Sequence, residues 1–285
     1  MPNSLLFRSP ADVTASRPAL QRDPMIRPGT KFLFDLTDPR CHPGGVITPG
    51  VAAIGTTFTS LDKVPVTAVV QTAGTVTVNA DGSLKLNGNR CLYVGTNKQF
   101  DMSPAEFEFL LWLWFKVPAV GYATGNYFSI LGQTPTNNNK AQAIFDLGAG
   151  GLTPRFNIGT ADGTSSIGPQ LPAPITPGQV YQLGARFDPG NRVDIFSNGA
   201  LRGSQVTAQT DLYPPASGEA LQMALGMSGE YTVYRIGMSD LDTSVATETG
   251  YGYAAADILT AAQFFAADYA FCTGALAGAP KTAFA

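Results

Sequence analysis

The chain has 285 residues, enough for one large β-sandwich or two average domains, and 44% of them are hydrophobic. Only 14% are charged, against about 25% in an ordinary soluble protein, which excludes a coiled coil, a helical bundle and a charge-driven disordered chain. A net charge of −3 with 18 Lys and Arg supplies no basic face strong enough to bind nucleic acid or an anionic membrane, so neither is expected as a partner.

Residues 1–28 contain five Pro and four Arg with no sustained apolar period. They read as an extended arm that buries little by itself. From Gly29 onward, short apolar stretches alternate with turn residues about every ten positions, the spacing of an all-β sandwich or barrel. Strands are expected over 31–36, over 66–78 with an interruption at Gly74, over 83–86 and over 91–94. The Ala80-Asp81-Gly82 turn and a turn at 87–90 separate the later members.

The stretch 106–117 is apolar on both faces if it is a strand. Phe107, Phe109, Leu111, Leu113 and Phe115 point one way; Glu106, Glu108, Leu110, Trp112, Trp114 and Lys116 point the other. Such a strand belongs in the middle of a sheet covered on both sides, or offers its second face to a ligand or subunit. Further on, 180–187 alternates Tyr181, Leu183, Ala185 and Phe187 against Gln182, Gly184 and Arg186. The Asp188-Pro189-Gly190-Asn191 turn returns the chain through 193–196, and Asn198-Gly199, suited to a type I′ turn, leads into 201–206. These form a three-strand meander. Strands at 221–227 and 231–238 follow. The period then changes: Thr260-Ala261-Ala262-Gln263 is a capping box, with Leu259 and Phe264 placed as a hydrophobic staple, so one short helix starts there.

Val180-Tyr181-Gln182-Leu183-Gly184-Ala185-Arg186-Phe187-Asp188, with Val193 to Gly203, resembles the paired hairpins of concanavalin A-like, laminin-G-like jelly-roll domains. The strand pair in 81–94, the central strand at 106–116 and the closing strand at 231–241 with its helix are similar to the same family. Tyr181 stands where the family usually has Trp. The resemblance spans about 29–271 and implies an all-β, two-sheet antiparallel jelly-roll β-sandwich with an N-terminal arm (1–28), one short C-terminal helix and a loose tail (272–285).

The fold also carries glycosidases, which need two carboxylates about 5 Å apart. The nearest candidate, Glu106-Phe107-Glu108, is followed by Leu110 and Trp112, which breaks the expected acid set, so no catalytic residue is assigned. Trp112 and Trp114 are the candidate glycan-binding residues, because aromatic faces stack on sugar rings; packing in the interior is the alternative for them. No cofactor is expected. Asp146, Asp188, Asp194 and Asp240 are candidate calcium ligands, but they do not form an acid-rich loop, so turn capping is the favoured role and calcium the lesser alternative. His42 is the lone histidine and reads as a surface or turn residue, which rules out a multi-histidine metal site. Gly148-Ala149-Gly150-Gly151 lacks the following helix of a phosphate loop and reads as a turn. Cys41, Cys91 and Cys272 match no metal or redox spacing, and one disulfide among them stays open.

The first 20 residues hold no apolar signal block, and the densest apolar run, 109–115, is about a third of a membrane helix. With the resemblance, this leads to an expected non-enzymatic structural component of a phage particle, made in the host cytoplasm. Leu5, Leu6, Phe7, Arg8, Arg17 and Arg22 would dock the arm on a neighbouring virion protein, in a multi-copy or homo-oligomeric assembly that contacts host glycan. The alternative is a stand-alone carbohydrate-binding lectin-like module; a glycosidase or lyase ranks below both.

Overall fold

The computed structural model describes residues 23–62, 64–71, 74–88, 91–94, 108–120, 127–132, 141–146, 152–213, 222–225, 230–241 and 259–274. In chain order its strands are β1 (Thr30–Asp35), β2 (Gly50–Val51), β3 (Thr57–Thr59), β4 (Thr67–Val70), β5 (Gly74–Val78), β6 (Leu84–Gly88), β7 (Leu92–Val94), β8 (Phe109–Lys116) and β9 (Tyr127–Gly132). There follow β10 (Ala141–Asp146), β11 (Arg155–Gly159), β12 (Ser166–Ile167), β13 (Val180–Asp188), β14 (Arg192–Ser197), β15 (Ala200–Val206), β16 (Gln222–Leu225), β17 (Glu230–Asp240) and the helix α1 (Ala261–Cys272).

The strands form two antiparallel sheets, a jelly-roll β-sandwich. One sheet runs β15-β14-β13-β8-β17-β6-β5-β2, with β1 pairing on β17 beyond the end of β6. The other runs β12-β11-β10-β9-β16-β7-β4-β3. The expected meander is β13-β14-β15, and its second turn holds Asn198 at φ 50° and Gly199 at φ 78°, the left-handed pair that a type I′ turn demands. The stretch expected to be interrupted at Gly74 is divided into β4 and β5, with Gly74 opening β5, and β6 runs through Gly88, into the stretch expected to turn.

β8 is covered on both sides, as its two apolar faces require. Phe109, Leu111, Leu113 and Phe115 enter the core between the sheets with Phe32, Phe58, Phe145 and Phe156. Leu110, Trp112 and Trp114 enter a second core outside the first sheet, closed by Phe264, Phe265, Phe271 and Cys272 of α1. The molecule therefore has three layers: sheet, sheet and helix. Thr260 caps α1 by the predicted box, its side chain accepting from the Gln263 backbone while the Gln263 side chain returns to Thr260. Leu259 and Phe264 both pack in the second core, where the staple puts them.

The N-terminal boundary differs from expectation. Asp23, Met25 and Ile26 are buried, and Met25 and Ile26 join the second core. Residues 23–28 thus belong to the body; the periodicity of so short a segment carries no signal, because its burial partners include side chains far along the chain, such as Trp112 and Arg235. Residues 1–22 and 275–285, with the rest of the expected arm and tail, lie outside the described residues.

Arg235 on β17 is fully buried and explains this anchoring. Its Nη1 donates to Asp23 (2.5 Å) and Asp35 (2.8 Å), its Nη2 to Asp23 (2.9 Å) and its Nε to Asp268 of α1 (3.0 Å). Asp268 also accepts from Trp114 Nε1 (2.8 Å) and Gln182 Nε2 (2.8 Å). Burial opposes the charge on the guanidinium, and Asp23 and Asp268 override it, so Arg235 stays firmly protonated. Burial raises the Asp268 carboxyl above its usual range, against the pull of Arg235, Trp114 and Gln182.

A second buried acid, Asp62, ties residues 60–62 to the edge of β1. It accepts from the Leu33 backbone N–H and from Ser60. Burial pushes its carboxyl from 3.8 up to about 6, although both hydrogen bonds favour the charged form. Between about pH 4 and 6 the folded chain therefore holds a proton that the unfolded chain has released, and stability falls as pH rises through that window. Asp62→Asn should remove about 2 kcal/mol of this loss. Urea unfolding at pH 4 and pH 7 checks it: the variant's difference between the two pH values should be smaller than the parent's, and equal differences would refute the assignment.

Candidate functional site

Trp112 and Trp114 do not form an exposed platform. They are 0% and 3% exposed. Trp112 meets Phe264 edge-on at 4.7 Å between ring centroids, and Trp114 lies parallel to Tyr269 at 5.7 Å. The register places Trp112 between Gly184 of β13 and Gly237 of β17. A Cβ at Gly237 would stand 2.2 Å from Trp112 Cζ2, and one at Gly184 would stand 2.3 Å from Phe265 Cε1. The two glycines clear the space in which indole and helix interlock, so α1 takes the faces a sugar would need.

The strongest candidate site lies beside that helix, on the same outer face. A hairpin closing between Asp188 and Arg192 sets Arg186 opposite Asp194, and β15 sets Ser204 opposite Asp194. Arg186 forks onto both oxygens of Glu108, Nε to Oε1 (2.6 Å) and Nη2 to Oε2 (2.8 Å). It also donates from Nη2 to Asp188 (2.8 Å) and from Nη1 to Asp194 (3.1 Å). Asp194, 1% exposed, accepts in addition from Ser204 and pairs with Arg192 Nε at 3.3 Å. These carboxylates overcome the cost of burial and hold the Arg186 guanidinium above its ordinary range.

Glu108, Arg186, Asp194 and Arg192 form the polar wall of a cleft of about 360 Å³, and Phe196, Leu201, Leu241 and Leu259 form its apolar side. The first turn of α1, from Thr260 to Ala262, closes one end. The Arg192 side chain is 45% exposed at the mouth. Alternation along β14 explains the geometry: Arg192, Asp194 and Phe196 share the outer face, polar at the open end and apolar where α1 begins. A ligand here meets hydrogen-bonding groups already locked in place by one another, next to a greasy surface.

The other sequence-derived candidates fall elsewhere. Asp188 and Asp194 neutralise Arg186, and Asp240 pairs with Lys31 at 3.2 Å, so cationic side chains already stand at these weighed calcium ligands. Among the described residues no group of three His, Cys, Asp or Glu is placed to hold a metal. Glu106, residues 148–151 and the arm residues Leu5, Leu6, Phe7, Arg8, Arg17 and Arg22 lie outside the described residues, as does the side chain of Asp146. His42 is in a turn, as expected, but only 4% exposed, with Nε2 2.7 Å from the Leu36 carbonyl and its ring edge on Phe58. It borders a second cleft of about 250 Å³ lined mainly by Pro43, Val46, Val51 and Val78. All three cysteines are buried and unpaired. Burial pushes the Cys91 thiol up to about 11, far from a poised nucleophile. No helix among the described residues is long and apolar enough to cross a membrane.

Sequence reasoning missed the Arg186 cluster, although a signal was present. The Asp188 to Asn191 turn fixes the pairing of 186 with 194, an opposite-charge cross-strand pair on the polar face of the meander.

No family model and no curated protein matches the sequence. Solved structures with a similar fold include Trypanosoma rangeli sialidase in complex with 2,3-difluoro-KDN, at TM-score 0.46 and 11% identity over 80% of this chain and 34% of that one. The botulinum neurotoxin serotype G binding domain aligns at TM-score 0.44 and 10% identity, over 76% of this chain and 49% of that one. The binding domain of Paraclostridial Mosquitocidal Protein 1 aligns at TM-score 0.42 and 9% identity, over 76% and 51%. The chain spans a third to a half of the length of these proteins, and the likeness is one of fold alone.

The burial of both tryptophans is directly testable, because they are the only two in the chain. Native emission should be blue-shifted and resist iodide quenching, with full quenching only after unfolding. Quenching of the native protein at the rate of free tryptophan would overturn the packing under α1.

Proposed function

We propose that this chain is a non-enzymatic carbohydrate-binding module of lectin-like fold, and that the cleft above β13, β14 and β15 takes the sugar. The observation that supports it is the pairing, in one concave site, of preorganised polar groups with an apolar strip. Sugars present both surfaces at once, hydroxyls at the ring edge and C–H groups on its face. A volume of about 360 Å³ is in the range of small-molecule sites, and side chains already fixed by ion pairs lose little freedom on binding.

The same geometry speaks against hydrolysis. A glycosidase needs one carboxyl free to carry a proton to the leaving oxygen. In this cleft both Glu108 oxygens accept from Arg186, and Asp194 is held by Arg186, Arg192 and Ser204.

Arg192→Ala removes a half-exposed donor from the mouth and leaves the Arg186 pairs standing. Binding to whichever oligosaccharide a glycan array identifies should weaken about tenfold, roughly 1.4 kcal/mol, while the unfolding midpoint moves little, because the buried Asp194 keeps its bonds from Arg186 and Ser204. Undiminished binding would place the sugar elsewhere.

A second reading, a phage structural component docking through its N-terminal arm, draws support from Asp23. The chain leaving residue 23 starts from a buried ionic anchor, so a load on the arm would pass directly into the core. Quantitative mass spectrometry of sedimented particles tests it. A fixed ratio to the major coat or tube protein is the expected result, and absence from particles would overturn it.

A further inference from the structure

Resting on the carbohydrate reading, the charge balance of the cleft goes further and names a class of sugar. We infer that the site takes uncharged or amine-bearing sugars and discriminates against acidic ones, the sialic and uronic acids. Recognising a sugar carboxylate calls for a guanidinium or ammonium with free donors facing the ligand. Arg186, the most enclosed cation of the site, has none to spare for a second fork. Four of its five N–H donors are spent on Glu108, Asp188 and Asp194.

Arg192 is the other cation, and it is paired with Asp194. On the cleft wall Glu108 and Asp194 balance Arg186 and Arg192; Asp188, held on Arg186 beside the lining, adds one further negative charge to the cluster. The start of α1 works the other way, with a partial positive charge of about half a unit, and it does not cancel a full one. Its capping box also supplies that end with acceptors of its own, Thr260 Oγ1 and Gln263 Oε1. An acidic sugar would have to lose water beside excess negative charge with no open partner. A neutral sugar would use the carboxylate oxygens as hydroxyl acceptors, and an amine would be drawn to the surplus.

The test is a matched set of probes on the 285-residue chain: N-acetyllactosamine against its 3′-sialylated form, and chitotetraose against its de-N-acetylated form and tetragalacturonate, at about 50 mM and about 500 mM NaCl. The neutral and amine-bearing members should bind at least tenfold more tightly than the acidic ones at low salt. Screening should narrow that ratio at high salt, and Asp188→Asn, which removes the surplus charge, should narrow it at low salt. Acidic members bound as tightly as neutral ones, with binding lost in Arg192→Ala, would overturn the selectivity and leave the carbohydrate reading intact. Binding to none of the probes and to no array glycan would overturn both.

Discussion

A single buried guanidinium fastens the helix layer and the N-terminal segment to the first sheet. Arg235 is fully enclosed and reaches Asp23 before the first strand, Asp35 at the end of β1 and Asp268 on α1. Asp268 extends the contact to Trp114 on β8 and Gln182 on β13. Leaving out any partner would strand charge in the interior, and breaking a set of this kind typically costs about 3–5 kcal/mol. The cluster is also directional. Its donors and acceptors fix the helix, the N-terminal segment and four strands relative to one another, a directionality that apolar packing does not impose.

That constraint accounts for the third layer. A sandwich with one bare outer face would leave Leu110, Trp112 and Trp114 in water, and burying such side chains is worth about 1.5–3 kcal/mol each. α1 covers them, and the gaps at Gly184 and Gly237 let the rings approach. The helix is short, so its cover ends near Phe196, and there the outer face turns from apolar to charged. The cleft is the boundary between the two, and it exists because the helix stops where β14 becomes polar.

The cluster around Arg186 and the cluster around Arg235 share a design with different exposure. Each surrounds one guanidinium with three carboxylates. The inner one is sealed and holds elements together; the outer one is partly open, with Arg192 and Glu108 reaching solvent. The outer set is therefore rigid and accessible at once, the combination a recognition surface requires.

Much of the architecture was legible in the chain. Two-residue alternation, the Asn198-Gly199 turn and the Thr260 capping box are local, so the meander, the strand character of β8 and the start of α1 follow from neighbouring residues. The two apolar faces of β8 even announced that both would be covered. What covered them was not legible. Whether Trp112 meets a sugar, a subunit or a helix depends on residues about 150 positions away, and only the folded chain brings Phe264 and Tyr269 over the indoles. The same holds for Asp23, which reads as part of an extended arm until Arg235, 212 residues later, pulls it into the interior. Local sequence sets what each segment can form, because turns, caps and alternation act over a few residues. Long-range burial of charge and ring decides which surfaces close and which stay open to a ligand.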